Sequence, residues 1–248
     1  LEYLNLSYND LTGEIPSDIG GLINLIELDL SNNQLTGGIP SEIGELIDII
    51  YLDLSNNQLT GDILPIVTLV ELEYLWLINN QLSGPIPIEI ENLTSIQLLL
   101  LHNNNLTGEI PLEIVNLQNL WYLTLHKNNL TGDISFIGDL PNLSFLWLSN
   151  NQLTGLIPPT ICDLPINWDN YYYDFINEEL IYDINLSHNQ FCPPYPECLL
   201  NLKPISELFI DENGNGIWDE DEPFTGENDI YGEDYVGYQD TSECEECN

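Results

Sequence analysis

One asparagine recurs along the chain at a nearly constant interval, and this period constrains the fold more than any other feature. It occupies eight positions, at intervals of 24, 24, 23, 24, 24, 23 and 38 residues: Asn9, Asn33, Asn57, Asn80, Asn104, Asn128, Asn151 and Asn189. Leucines stand at fixed distances around each copy, as Leu28, Leu30 and Leu35 do around Asn33. A single unit of this size cannot bury its leucines alone, so the units must stack and share one continuous core.

Each unit has room for one short strand, a turn and a return path to the next unit. One strand per unit, repeated in register, predicts a parallel sheet with about 4.8 Å between neighbouring strands. The recurring asparagine is expected to turn inward at the bend, where its amide satisfies backbone groups. We therefore assign it to the scaffold, and we predict a mostly-β fold of the α/β-solenoid class with eight repeats.

A second motif, Leu-x-Gly-x-Ile-Pro, follows the asparagine in most repeats. Its clearest copies are residues 11–16, 35–40 and 106–111. The motif resembles that of the plant-type leucine-rich repeat, found in receptor-kinase ectodomains, polygalacturonase-inhibiting proteins and, in similar form, secreted bacterial proteins. The resemblance covers residues 1–202, although Leu64 and Ser135 replace the proline in two repeats. It implies a right-handed solenoid with a concave parallel sheet and an irregular convex side, used for recognition.

The repeat register breaks after Asn151, where an insert near 159–180 lengthens the interval to the next asparagine. Five aromatic residues fall within eight positions of this insert: Trp168, Tyr171, Tyr172, Tyr173 and Phe175. These side chains could form a contact loop. The favoured alternative is that they pack onto the edge of the solenoid as a local cluster.

A terminal cap is predicted at 191–202, because the last repeat of a solenoid must shield its core from water. We predict a disulfide between Cys192 and Cys198 here, since the proline-rich turn between them restrains the loop. Cysteines gathered near the end of a repeat array are typical of an oxidising compartment, so we expect an extracellular or cell-surface location. Because Leu1 stands in the middle of a repeat, we also expect a mature or truncated piece of a longer protein.

The charge of the chain restricts its partners. It has 41 acidic residues and two basic ones, for a formal net charge of −39. Such a surface repels nucleic acid phosphates and anionic lipid, so we expect neither as a partner. Membrane insertion is not expected either, because no apolar run approaches the roughly 20 residues that a membrane span requires.

The positions between the strand leucines are expected on the exposed, concave face of the sheet, since side chains alternate along a strand. They are polar and acidic in the first three repeats, and apolar or aromatic in the next four. The predicted ligand-binding patch comprises Tyr74, Trp76, Ile78, Leu98, Leu100, His102, Tyr122, His126, Phe145 and Trp147. Exposed aromatic patches usually mark interaction sites. The alternative is that the insert or the tail covers the patch.

Catalysis is not expected. The sequence has no nucleophile–base motif, no phosphate-binding glycine loop and almost no lysine or arginine to stabilise an oxyanion. His102 and His126 occupy equivalent positions on neighbouring strands, so their rings could lie about 5 Å apart. Two histidines could begin a metal site, but no third ligand is evident beside them.

The last segment, 203–248, is an acidic tail that contains a calcium-loop pattern, D-x-[DN]-x-[DN]-G-x5-E, at 211–222. The predicted ligands of calcium (Ca2+) are Asp211, Asn213, Asn215, Ile217 through its carbonyl, Asp219 and Glu222. Calcium takes 6–8 oxygen ligands, which this arrangement can supply. The loop resembles those of EF-hands and dockerins, although Pro223 argues against a helix after it.

Six Asn-x-Ser/Thr sequons could carry sugar, or could simply follow from the repeat itself. They are Asn5, Asn92, Asn105, Asn129, Asn142 and Asn185. The predicted function is an extracellular, non-enzymatic binding module that recognises a protein or glycan, with a tail ordered by calcium. The alternative is a self-assembling filament or surface-layer protein, joined by end-to-end stacking of repeats and by calcium. A third hypothesis is that a ladder of serines, Ser7, Ser31 and Ser55, binds ice or a mineral surface.

Overall fold

The computed structural model describes residues 1–167, 171–174 and 179–200. Its main element is a sheet of eight short parallel strands, one per repeat, which we call the face sheet. The strands are Tyr3–Asn5, Glu27–Asp29, Tyr51–Asp53, Tyr74–Trp76, Leu98–Leu100, Tyr122–Thr124, Phe145–Trp147 and Ile184–Asn185. They pair in the order in which they occur along the chain. The predicted mostly-β solenoid is therefore confirmed.

Two smaller parallel sheets lie beyond the asparagine turn. One contains the strands Thr12–Glu14, Gln34–Gly38 and Gln58–Thr60. The other contains the strands Ser83–Gly84, Asn105–Glu109, Asn129–Gly132, Gln152–Leu156 and Gln190–Cys192. In the insert, strands Tyr171–Asp174 and Glu179–Tyr182 form an antiparallel pair.

Short 3-10 helices cover the rest of the return path, which is more regular than the sequence predicted. They are Ser17–Gly21, Ser41–Glu45, Leu64–Ile66, Ile88–Asn92, Leu112–Asn116, Ile137–Asp139 and Pro159–Asp163. We call the surface formed by these helices and the residues just before them the return side. A four-residue α-helix, Glu197–Leu200, follows the last repeat.

The core is a stack of aliphatic layers, one layer per repeat. In the third repeat Leu52, Leu54 and Leu59 are completely buried, and Ile63 retains 1% of its exposure. The same positions are buried in the following repeats, so the core is continuous along the solenoid. Because full burial of a leucine contributes about 1.5–3 kcal/mol, contact between layers is the main source of stability.

The recurring asparagines join neighbouring repeats. The Nδ2 group of Asn57 donates hydrogen bonds to the carbonyls of Leu54 (3.2 Å) and Ser55 (3.1 Å) in its own turn. It also donates to the carbonyl of Leu30 in the preceding repeat (3.0 Å), while its Oδ1 accepts from the amide of Leu35 (3.0 Å). Equivalent bonds recur at the later asparagines, including Asn189. The predicted scaffold role of these residues is confirmed.

Two repeats are one residue shorter than the others, and both lack the proline of the Leu-x-Gly-x-Ile-Pro motif. In these repeats an aspartate side chain caps the turn instead. Asp62 accepts a hydrogen bond from the amide of Leu64 (3.0 Å), and Asp133 accepts one from the amide of Ser135 (2.9 Å). Proline has no amide hydrogen and could not donate this bond. The 3-10 helices of the two repeats are correspondingly short, at three residues each.

The cap is closed by a disulfide between Cys162 and Cys198, whose Cα atoms lie 5.5 Å apart. The predicted Cys192–Cys198 bond is therefore wrong. Cys192 ends a strand that pairs with the preceding repeat and is 2% exposed, whereas Cys198 lies in the final helix beside the helix that contains Cys162. The turn between them thus carries Cys198 away from its sequence neighbour. Cys192 is disulfide-bonded too, but to neither of these cysteines.

We predict that Asn104→Ala lowers the free energy of unfolding by at least about 2 kcal/mol, because it leaves several buried backbone groups without a hydrogen-bond partner. Urea denaturation measures the change. Asn105→Ala is the matched control, since this neighbouring asparagine is exposed. Equal destabilisation by the two variants would contradict the role assigned to the hydrogen bonds of the recurring asparagines, which we call the ladder.

Candidate functional site

The predicted ligand-binding residues all come from the outer side of the face sheet, and we call them the face patch. Register places Trp76 beside Leu100, and Thr124 beside Trp147. Tyr122 lies between Leu98 and Phe145 on the neighbouring strands. The leucines that alternate with these residues are buried in the core: Leu75, Leu99, Leu123 and Leu146. The structure therefore brings the predicted residues together on one surface.

The rings of the last two aromatic strands form a stacked cluster. Tyr122 and Phe145 are nearly parallel, with ring centroids 3.9 Å apart and an interplanar angle of 5°. The ring centroids of Phe145 and Trp147 lie 5.2 Å apart. Those of Trp147 and His126 lie 5.1 Å apart, in an edge-to-face arrangement. Each stacked or edge-to-face pair contributes about 0.5–1.5 kcal/mol of stability beyond the contribution of its buried area. These contacts hold the rings of the cluster in place on the surface.

A second aromatic cluster includes a residue that the sequence analysis did not select. Tyr51 packs against Trp76 with ring centroids 4.5 Å apart, and Tyr74 lies 6.0 Å from the same ring. Tyr51 precedes Tyr74 by one repeat in the same position of the strand, and this equivalence was the available signal. The aromatic surface thus begins in the third repeat, next to the acidic strands.

The patch is less exposed than predicted. Leu100 and His126 each retain 8% of their exposure, and Phe145 retains 5%. The expectation of exposure is wrong for these three residues, because large side chains on strands about 5 Å apart cover one another. They form the floor of the surface. The half-buried members remain accessible in part: Tyr74, Trp76, Ile78, Leu98, His102, Tyr122 and Trp147.

His102 and His126 stack with their ring centroids 4.1 Å apart and an interplanar angle of 15°. The Nδ1 atom of His102 lies 2.7 Å from the hydroxyl of Thr124, whereas the buried Nδ1 of His126 has no hydrogen-bond partner among the described residues. Burial lowers the pKa of His102 to about 4 and that of His126 to about 3, and the charge of Lys127 contributes to both shifts. Both rings are therefore neutral at neutral pH.

The histidine pair is poorly arranged to hold one metal ion. In parallel stacked rings the nitrogen lone pairs point side by side, not toward a common point. Throughout the described residues, no group of three histidine, cysteine or acidic side chains is placed to hold a metal. The predicted calcium loop, 211–222, lies outside the described residues, as do Trp168 and Phe175 of the insert and the tail that could cover the patch.

An acidic region borders the aromatic surface. Asp29 and Asp53 are direct neighbours in the sheet, and Asp53 is followed by Trp76 on the next strand. One oxygen of each carboxylate caps a turn, by accepting the amide hydrogens of Ser31 (3.0 Å) and Ser55 (2.8 Å). The remaining oxygen of Asp29 accepts a bond from an asparagine amide, while that of Asp53 has only a 3.5 Å contact with a tyrosine hydroxyl.

Within residues 1–167, 171–174 and 179–200, no ion pair compensates the charge of the acidic region. Burial raises the pKa of Asp53, and the neighbouring Asp29 adds to the rise. Burial together with these two carboxylates and Glu27 raises the pKa of Tyr51 to about 12. Among the described residues the only lysine or arginine is Lys127, and no ion pair involves Asp29 or Asp53. This edge of the patch therefore carries negative charge that no described lysine or arginine neutralises.

Other predicted sites are placed as follows. Ser31 and Ser55 retain 3% and 4% exposure, so they cannot form the proposed surface ladder for ice or mineral. Five sequon asparagines are exposed: Asn5, Asn92, Asn105, Asn129 and Asn142. The sixth, Asn185, is half-buried and accepts hydrogen bonds from the amide and hydroxyl of Ser187. Glycosylation stays a prediction for all six.

Family models match the repeats along much of the chain. The model described as Leucine Rich repeats (2 copies) matches residues 1–41. The model described as Leucine Rich Repeat matches residues 48–68, 71–93, 95–117 and 142–164. The chain belongs to the leucine-rich-repeat family. No curated relative matches it.

Solved structures of plant receptors resemble the solenoid. One is the ectodomain of the plant membrane receptor kinase GASSHO1/SCHENGEN3 from Arabidopsis thaliana, in complex with CASPARIAN STRIP INTEGRITY FACTOR 2. It is 37% identical with a TM-score of 0.70, over 81% of this chain and 23% of that one. Another is the plant peptide hormone receptor RGFR1 in complex with RGF2, which is 36% identical with a TM-score of 0.69, over 77% of this chain and 29% of that one.

A leucine-rich-repeat protein of Leptospira interrogans is also similar. It is 30% identical with a TM-score of 0.63, over 82% of this chain and 46% of that one. The chain thus spans less than half of the length of each of these three proteins. In the described part of the chain, no helix has the length and apolar composition of a membrane span.

We predict that stability falls as the pH drops below about 6.5, the ordinary pKa of histidine in the unfolded chain. In the folded chain His102 and His126 bind protons only near their lowered pKa values, whereas in the unfolded chain they bind them near 6.5. Acid therefore favours the unfolded chain. Each histidine contributes a loss of about 1.4 kcal/mol per pH unit across that window. Thermal unfolding between pH 7 and 4.5 measures the slope.

The double variant His102→Gln/His126→Gln should show a flatter pH dependence than the parent. His188→Asn is the matched control, because asparagine occupies the equivalent turn position, with positive φ, in several other repeats. If His188→Asn flattens the dependence of thermal stability on pH and the double variant does not, His102 and His126 are not the source of the acid sensitivity of the fold.

Proposed function

We propose that this chain is an extracellular, non-enzymatic module that binds a protein partner through the face patch. The observation that carries the proposal is a surface of two aromatic clusters joined by Leu98 and Leu100, beside carboxylates that have no ion-pair partner among the described residues. Tyrosine and tryptophan are typical anchors of binding interfaces. The similar plant receptors are described in complexes with RGF2 and CASPARIAN STRIP INTEGRITY FACTOR 2, which supports a protein or peptide as the partner class.

The partner is a basic and partly apolar segment. An arginine or lysine side chain would contact the carboxylates of Asp29 and Asp53 together with the neighbouring rings of Tyr51 and Trp76. A cation over an aromatic face is stabilised by about 0.5–2 kcal/mol, and the nearby carboxylates add to this attraction. Apolar side chains that follow the cation would then contact the surface of repeats four to seven. The strong net charge of −39 also speeds the approach of a cationic partner.

A glycan is the second occupant considered, since sugar rings also stack on tyrosine and tryptophan. The carboxylate of Asp53 can accept hydrogen bonds from sugar hydroxyls, but a neutral glycan has no net charge, so salt changes its affinity little. A basic peptide loses affinity both when the charge of Asp53 is removed and when salt screens it. Dependence on Asp53 together with dependence on salt therefore separates these two partners. An extracellular location is supported by the disulfide Cys162–Cys198 and by the similarity to receptor ectodomains.

We predict that peptides selected from a random library against the immobilised chain are rich in arginine or lysine next to tryptophan, phenylalanine or leucine. Calorimetry with a selected peptide should show a loss of affinity of about thirtyfold for Trp76→Ala, because anchor residues contribute 2 kcal/mol or more. Trp147→Ala should act in the same direction. Asp53→Asn should weaken binding of the peptide severalfold at low salt.

Tyr3→Ala is the control for loss of an aromatic side chain, because Tyr3 lies on the first strand, outside the face patch, and is 57% exposed. It should leave the affinity nearly unchanged. The melting temperature of each variant separates binding from folding. If Trp76→Ala and Trp147→Ala bind normally, the face patch is not the interface. If binding depends on Trp76 but not on Asp53, the natural ligand is neutral, such as a glycan, and is not a basic peptide.

The calcium-ordered tail is a separate part of the proposal and rests on the loop pattern at 211–222. We predict a saturable calcium isotherm with a dissociation constant of about 10⁻⁴–10⁻³ M, the range of extracellular modules. Asp211→Ala and Glu222→Ala should abolish it, whereas Asp240→Ala, outside the pattern, should not. Titration of all three variants like the parent would show that the pattern is accidental.

The alternative function, self-assembly by end-to-end stacking and calcium, stays a prediction. Light scattering of the full chain with and without calcium distinguishes it from the binding module. A monomer in both conditions supports the binding module. Concentration-dependent growth of long particles in calcium supports assembly instead, because head-to-tail contacts that do not close form filaments.

A further inference from the structure

The return side carries an open groove of about 490 Å³ that the proposed function does not use. It crosses repeats four to six. Its apolar lining comes from Ile86, Ile88, Ile110, Leu112 and Phe136. The face patch lies on the face sheet, whereas this groove is formed by the 3-10 helices and the segments before them. The two surfaces are therefore distinct.

The apolar character of the groove is specific to these repeats. Ile88, Leu112 and Phe136 each follow the proline of the repeat motif or the serine that replaces it. The equivalent position is serine in the first two repeats and proline in the third and seventh. Ile88 and Leu112 each retain 59% of their exposure, so they stabilise the core little and leave contiguous apolar surface in water. Such contiguous exposed surface is typical of interaction sites.

The groove ends at the shortened sixth repeat. There the Asp133 carboxylate accepts the amide hydrogen of Ser135, and the helix that follows has only three residues, Ile137–Asp139. The fifth repeat has the full helix Leu112–Asn116. The long return segment of the fifth repeat thus lies beside the short return segment of the sixth repeat, and residues of both segments line the groove.

The charge of the groove lining is negative. Glu109, Glu113 and Asp133 line it together with the apolar side chains, and no lysine or arginine does. The hydrogen bonds from Ser135 hold the pKa of Asp133 below its usual range, so this carboxylate stays charged at neutral pH. A second copy of the chain would bring acidic groups against acidic groups, at a net charge of −39 on each molecule. Association of two copies here is therefore opposed by charge repulsion.

We infer that this groove is a docking site for an extended segment of a second partner protein, in which lysine or arginine alternates with leucine, isoleucine or phenylalanine. The apolar side chains of the segment contact Ile88, Leu112 and Phe136, and its cations pair with Glu109, Glu113 and Asp133. Acidic and apolar residues are interleaved in the groove lining, as Glu109 and Glu113 are with Ile110 and Leu112, so a segment that carries both cations and apolar side chains can contact both kinds of residue. The inference does not rest on the proposed function, because it involves none of the residues of the face patch.

The test uses the full chain carrying Trp76→Ala/Trp147→Ala, so that the face patch does not also bind a basic, apolar peptide, and three short synthetic peptides of equal length, alternating Lys-Leu, Lys-Ser and Glu-Leu. Fluorescence anisotropy of the labelled peptides at physiological ionic strength measures binding. We expect saturable binding of the Lys-Leu peptide, and at least about tenfold weaker binding by Ile88→Ser/Leu112→Ser, because two anchors are removed. Glu109→Gln/Glu113→Gln should weaken the affinity severalfold and reduce its dependence on salt.

Ile23→Ser/Ile47→Ser is the matched control, since these isoleucines are exposed to a similar degree, 56% and 61%, but lie outside the groove. It should bind the Lys-Leu peptide as tightly as the Trp76→Ala/Trp147→Ala chain from which it is made. Unchanged affinity of Ile88→Ser/Leu112→Ser, or equal loss in the control, overturns the inference. So does a dimer that this variant abolishes, because the groove would then hold a second copy.

Discussion

The hydrogen bonds of the recurring asparagines are the interaction on which the rest of the structure depends. Each interior asparagine donates to a carbonyl of the preceding repeat and accepts from an amide of that repeat, as Asn104 does with Leu77 and Leu82. These bonds fix the register between neighbouring turns. In a strand, a shift of one residue would turn the leucines outward and the face residues inward. The ladder thus decides which side chains form the core and which form the surface.

Because the ladder and the leucines maintain the fold, the positions between them are free to vary. Asp29 and Asp53 begin an acidic region, and Trp76 and Trp147 belong to an aromatic one, on strands of the same sheet. On the return side, Leu112 stands where the first repeats have serine. One scaffold therefore presents two apolar surfaces with acidic borders, and both surfaces suit partners of positive charge.

The strand register, and the alternation that brings the face patch to one side of the sheet, could be predicted because both follow directly from the period of the sequence. The burial of His126 and Phe145 could not, since it depends on how rings from neighbouring strands stack. The pairing of Cys162 with Cys198 was also missed, because closeness in sequence favoured Cys192 as the partner. The groove near Leu112 required the lengths of neighbouring return segments, which the motif alone does not reveal.

Hydrogen exchange of the full chain, with and without a peptide selected for binding, tests the central claim most directly. If the face patch binds the peptide, backbone amides exchange more slowly in the turns that border it, near 77–79, 101–103 and 125–127, and also near Asp53. The return side should be unaffected by this peptide. Protection confined to the return side, or spread evenly over all repeats, would contradict the assignment of the face patch as the binding surface.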